Sequence, residues 1–111
     1  MDIFDYFSEN ACSVQFAAKT KEQCLRHFSQ VVARLNNHFS EEQLYQAFAD
    51  REKQGSTAFE NGIAIPHARL EGFDQFVIGI ATSKKPVDFE SLDGKKTNLF
   101  FVLVGPKDKP R

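Results

Sequence analysis

Leu99-Phe100-Phe101-Val102-Leu103-Val104 is apolar at every position, so an extended chain here is hydrophobic on both faces. Strand side chains alternate, which puts Phe100, Val102 and Val104 on one side and Leu99, Phe101 and Leu103 on the other. A strand of that kind belongs at the centre of a sheet covered by helices, the arrangement of α/β proteins.

Working outward, Phe76 to Ala81 reads as a second strand, and Gly62-Ile63-Ala64-Ile65 as a third that Pro66 stops. Lys84-Lys85-Pro86 and Leu92-Asp93-Gly94-Lys95-Lys96 carry turn chemistry, with their charges in solvent. Near the start, after a short turn or helix around Ile3 to Ser8, Ser13-Val14-Gln15-Phe16-Ala17 alternates as a half-buried strand does. Two helices lie between. Thr20 and Gln23 cap the first, whose Cys24, Phe28, Val31, Val32 and Leu35 share one face as far as Asn36-Asn37. Ser40 and Gln43 repeat the capping box, Leu44, Ala47 and Phe48 form the stripe of the second helix, and Gly55 ends it. Interleaved helices and strands predict one domain over residues 1–111, an α/β sandwich with a mixed sheet.

The 111 residues allow a single core, and twelve phenylalanines with no tryptophan make it one of rings that need no hydrogen-bond partner. A net charge of −1 leaves no electrostatic footprint for nucleic acid or an anionic membrane. Residues 51–111 hold ten basic and eight acidic side chains against four and seven in residues 1–50, a mild basic tilt in the second half. Cys12 and Cys24 have neither metal-ligand spacing nor partners for a disulfide framework, and read as reduced thiols. No Walker A loop or Cys/His cluster is present, so neither nucleotide nor metal cofactor is expected. The acidic segment Met1 to Phe7 lacks an apolar targeting core, and no run approaches the ~20 residues that span a bilayer. A cytoplasmic protein without membrane insertion is the expectation.

Of three histidines, His27 and His38 fall in or just after the first helix, where a surface or satisfied histidine is the default. His67 follows the proline that closes an apolar strand. With φ fixed at Pro66 and Ile65 held extended, His67 is expected at a rigid, accessible corner. A neutral imidazole there is a competent nucleophile near pH 7. Arg51, three residues beyond Phe48 and seven beyond Leu44, lies on the inner side of the second helix. Its bland role is to complement the helix C-terminus.

The stretch Asp50-Arg51-Glu52-Lys53-Gln54-Gly55-Ser56-Thr57-Ala58-Phe59-Glu60-Asn61, continued by Gly62 to Arg69, resembles the type-2 enzyme IIA domain of the bacterial phosphoenolpyruvate:sugar phosphotransferase system, the fructose/mannitol class, and within it the nitrogen-regulatory branch. The resemblance covers about Val14 to Gly105 and implies the same fold. It also implies that His67 is the phosphorylated nucleophile, with Arg51, Thr57 and Ser56 completing a catalytic cradle for the phosphoryl oxygens. That family usually continues past this strand with helices that cover the sheet and carry a second active-site histidine, so the chain reads as C-terminally shortened. Ala58 and Glu60 stand where the family usually has glycine, and a φ above zero at either would strain the backbone by ~1 kcal/mol or more.

The function implied is that of a phosphoryl carrier. His67 would accept a phosphoryl group from an HPr-type phosphocarrier protein and serve regulation of the nitrogen type, or pass the group to a IIB domain in sugar uptake. The alternatives are a non-catalytic module that docks on a regulated protein with a degenerate phosphosite, or a structural remnant. An uncovered face of the Leu99–Val104 strand would favour a homo-oligomer.

Overall fold

The computed structural model describes residues 8–35 and 38–107. The turn expected around Ile3 to Ser8 lies outside them as far as Phe7, as does Asn36-Asn37. A 3-10 turn, Glu9–Ala11, leads into β1 (Ser13–Phe16), α1 (Lys21–Leu35), α2 (Glu41–Lys53), β2 (Ile63–Ala64), β3 (His67–Leu70), β4 (Val77–Val87) and β5 (Thr97–Pro106). The sheet is mixed: β1 runs parallel to β4, β4 antiparallel to β5, and β2 and β3 lie end to end, both parallel to β5 on its other side.

Both helices are capped by the residues that signal them. The Gln43 N–H donates to Ser40 Oγ at 3.1 Å and the Ser40 N–H to Gln43 Oε1 at 2.8 Å, a complete capping box. At α1 the Gln23 N–H donates to Thr20 Oγ1 at 3.1 Å, while the Gln23 side chain reaches one residue further back and accepts the Lys19 N–H at 2.6 Å. Gly55 follows α2 with φ +143°, which favours glycine, and nothing lies where its Cβ would be.

The core lies between the helices and one face of the sheet. Phe28 of α1 meets Phe100 of β5 at 5.2 Å and Phe48 of α2 at 6.4 Å between ring centroids, and Phe16 and Phe89 complete the cluster around Phe100 at 5.6 and 5.3 Å. Phe100, Val102 and Val104 are buried there, whereas Leu99, Phe101 and Leu103 on the opposite face are only half-buried. Gly79 is the point of closest approach: a Cβ would sit 2.2 Å from the Ala11 carbonyl oxygen, so the 3-10 turn crosses β4 only over a glycine.

Four local expectations are corrected. Pro66 interrupts its strand without displacing it: β2 stops at Ala64 and β3 begins at His67, yet Ile63 pairs with Leu99, Ala64 with Phe100, His67 with Leu103 and Ala68 with Val104, the same register on both sides. The proline removes a donor, but its carbonyl still accepts from the Leu103 N–H at 3.1 Å, so β3 resumes at once. Lys84-Lys85-Pro86 is strand, not turn. These exposed residues ride an irregularity between Thr82 and Val87, where a ladder tolerates a proline, and pairing resumes at Val87 with Thr97. The alternation of β1 breaks at Gln15, φ +53°, leaving Val14 84% exposed. Finally, neither Ala58 nor Glu60 has positive φ. That conformation falls on Asn61 and Gly62, at +61° and +78°, so the glycine substitutions carry no such strain.

Cys12 is exposed and Cys24 wholly buried, both as free thiols, and burial pushes the Cys24 thiol up to about 12. The native protein is therefore expected to give one fast-reacting thiol with a disulfide reagent at pH 8 and two in denaturant. Two fast thiols in the native state would contradict the burial of Cys24.

Candidate functional site

Ala68 is buried in the core, which turns its neighbours in β3, His67 and Arg69, to the other side of the strand. There the last turn of α2 brings Arg51 alongside. Arg51 Nε donates to His67 Nε2 at 3.0 Å, and Arg51 Nη1 donates to the Gly55 carbonyl at 2.8 Å. His67 Nδ1 lies 2.9 Å from the Ile65 carbonyl oxygen. An arginine N–H can only donate and a carbonyl can only accept. The neutral ring is thereby fixed as the Nδ1–H tautomer with its lone pair on Nε2, facing the guanidinium. His67 is half-buried within a strand rather than exposed at a corner.

The pair lines an open cleft of about 380 Å³ with Ala47, Asp50, Gln54, Arg69 and Lys107. Three cations against one carboxylate make it a place for an anion, with Arg51 offering a planar fork suited to phosphoryl oxygens. Arg69 gives both Nε and Nη2 to the Pro106 carbonyl, at 3.1 and 2.9 Å, which fixes its guanidinium beside the cleft. The sequence reading misses Arg69 because it stops the strand at Pro66; a strand continued through Arg69 puts it on the face of His67. Lys107 has no such signal, because only the β3–β5 pairing brings it near.

Ser56 and Thr57, grouped with His67 by resemblance, are engaged elsewhere. Ser56 Oγ donates to the Phe89 carbonyl at 2.7 Å and accepts the Ala58 N–H at 3.1 Å. Thr57 is 3% exposed. Its N–H donates to Glu52 Oε1 at 3.1 Å and its hydroxyl donates to Glu52 Oε2. Neither hydroxyl is available to a group on His67 as the chain stands. Glu60 lines a different cleft, with Phe59, Asn61, Ile63 and Leu92, so its charge stays out of this one.

A somewhat larger cleft, about 430 Å³, is bordered by Asn10, Cys12, Ser13, His27, Val31, Arg34 and Leu35. Size does not make it the site, because Arg34 is the one cation on its lining, against three around His67. The His27 ring stacks on Phe16 at 4.4 Å and its Nε2 shares a 2.9 Å hydrogen bond with Ser13 Oγ. Burial, aided by Arg34, lowers its pKa. Among the described residues no group of three or more His, Cys, Asp and Glu side chains is arranged to hold a metal, and no helix is long and apolar enough to cross a membrane.

Comparison with known proteins gives the family and agrees with the fold. The nitrogen regulatory protein of Pseudomonas aeruginosa is 40% identical over 88 residues, covering 79% of this chain and 57% of that protein. The chain thus spans little more than half the length of that relative. The fructose-specific EIIABC component of the Bacillus subtilis phosphotransferase system is 30% identical over 94% of this chain and 16% of its own length. The crystal structure of the nitrogen regulatory protein IIA-Ntr from Neisseria meningitidis superposes with a TM-score of 0.89 at 26% identity, covering 96% of this chain and 72% of that one. The model of the phosphoenolpyruvate-dependent sugar phosphotransferase system EIIA 2 family matches residues 5–111, and the chain belongs to that family.

Proposed function

We propose that the protein is a phosphohistidine carrier, in which His67 Nε2 takes a phosphoryl group from an HPr-type phosphocarrier. The observation that carries this reading is the pairing of Arg51 Nε with the Nε2 lone pair while Nδ1–H is tied to the Ile65 carbonyl. The Nε2 lone pair forms the new P–N bond as the donor's P–N bond breaks, and the electron pair of that bond returns to the donor nitrogen. The Nδ1 proton stays in place, so the phosphorylated ring carries positive charge that the Ile65 carbonyl dipole stabilises. Arg51 moves its donors from Nε2 to the equatorial oxygens, where negative charge develops. No nucleotide or metal takes part in such a transfer.

Within the family, the nitrogen-regulatory role is supported by the name and 40% identity of the Pseudomonas relative, and onward transfer to a IIB domain by the fructose-specific one. In the regulatory role the phosphorylation state of His67 is what a docking partner reads.

Intact mass after incubation with enzyme I, HPr and phosphoenolpyruvate tests the reading: one acid-labile, base-stable phosphoryl is expected, and no gain in mass overturns it. Arg51→Ala is expected to slow acceptance by about 100-fold, the scale for removing one donor to a developing charge. Arg51→Lys should lose about tenfold, because the charge remains and the fork does not. Equal rates for Lys and parent would leave the fork without a role.

A further inference from the structure

We propose that Glu52, acting through Thr57, is a positioning residue that holds both His67 and Arg51 from behind the cleft; this rests on the reading of His67 as phosphoryl acceptor. Arg51 and Glu52 are neighbours in the last turns of α2 and serve different partners. Arg51 goes to His67, and Glu52 to the loop that follows the helix and to α1.

The Glu52 side chain is only 6% exposed, and a carboxylate this deep persists only where charge and hydrogen bonds replace water. Lys21 Nζ supplies the charge at 2.8 Å and is itself shared with Glu90 at 2.8 Å. Burial works against the Lys21 ammonium, yet the two carboxylates outweigh it and raise its pKa. Thr57 supplies the hydrogen bonds from its N–H and its hydroxyl, so one carboxylate grips one residue at two atoms.

What Thr57 then holds is the site. The Thr57 carbonyl accepts the Ile65 N–H at 3.0 Å, and the Ile65 carbonyl is the group that binds His67 Nδ1. Two residues back in the same loop, the Gly55 carbonyl binds Arg51 Nη1. The segment from Gly55 to Thr57 is therefore a common template for the nucleophile's tautomer and for the guanidinium's direction. Neither Glu52 nor Thr57 touches the reacting atoms. Displacing reacting groups by about 1 Å costs on the order of 100-fold in rate, so a slack template is felt at the chemistry.

Thr57→Val decides the matter, since it is close in shape, removes only the hydroxyl and leaves the Lys21–Glu52 ion pair whole. Thr57→Ser restores the hydroxyl, and Glu52→Gln weakens the grip from the other side. Two readouts are taken on the full chain, with melting curves to show that each variant is folded: the rate of phosphoryl acceptance from enzyme I, HPr and phosphoenolpyruvate, and the ¹⁵N spectrum of the His67 ring near pH 8. The expected result is at least tenfold slower acceptance in Thr57→Val and Glu52→Gln, recovery to within about twofold in Thr57→Ser, and loss of the pure Nδ1–H signature in the first two only. A residue that merely stabilises the fold would leave the tautomer unmoved. Parent-like rates together with a parent-like ring spectrum in Thr57→Val overturn the proposal. If the parent itself accepts no phosphoryl, the carrier reading fails separately, and the ring spectra still decide whether the template acts: an unchanged Nδ1–H signature in Thr57→Val refutes it.

Discussion

A His67→Gln protein is expected to gain no mass with enzyme I, HPr and phosphoenolpyruvate, and to melt within a few degrees of the parent. Glutamine has no ring nitrogen lone pair to make the P–N bond, yet its amide oxygen can still accept from Arg51 Nε, so the guanidinium keeps a partner. His67→Ala is a harsher change. The ring is half-buried and hydrogen-bonded at both nitrogens, so its removal frees the Ile65 carbonyl and Arg51 Nε together. A cost of about 1–2 kcal/mol is reasonable for that loss. Loss of phosphorylation in both variants, with stability spared only in His67→Gln, separates the chemical role from the structural one. Labelling of His67→Gln at the parent's level would move the acceptor to another residue. His27 is the poorer candidate for it, since its ring is stacked on Phe16 and its cleft is lined by a single cation, Arg34.

Much of this site can be read from the chain because its signals are local. The capping box at Ser40, the stripe of Leu44 and Phe48 and the stop at Gly55 fix the length and phase of α2, and phase alone aims Arg51 inward. What the sequence misplaces depends on a neighbour it does not show. Pro66 looks like a terminator, but β5 supplies the Leu103 N–H that keeps β3 in register. That partner turns an exposed corner into a half-buried position. Thr57 enters the cradle through the family resemblance, since Gly55-Ser56-Thr57 by itself reads as a plain helix stop. Its actual partner, Glu52, is five positions back, in the last turn of the helix that precedes the loop. No spacing rule distinguishes those two fates of a threonine. Only the burial of Glu52, produced by α1 packing Lys21 over it, does so.

Phe100→Ala is expected to produce the largest loss of stability of any single truncation in the core, about 3–5 kcal/mol out of a total of about 5–15. The ring is fully buried and is in contact range of three others, Phe16 from β1, Phe28 from α1 and Phe89 beyond β4, so its removal opens a cavity that three separate segments would have to close. Rigid strands on either side limit that collapse, which places the cost at the upper part of the range. Phe101→Ala is the matched control. It removes the same ring from the next residue of the same strand, but from the half-buried face, where about 1–2 kcal/mol is the expected cost. Urea titration of both variants reads the difference as a shift in midpoint at constant slope. Equal losses would mean that the two faces of β5 are equally packed, contrary to the placement of α1 against Phe100. The consequence reaches the site, because Phe100 pairs with Ala64 in the register that continues through Pro66 to His67. A Phe100→Ala protein that remains folded should therefore also accept phosphoryl more slowly than Phe101→Ala does, although neither ring lines the cleft.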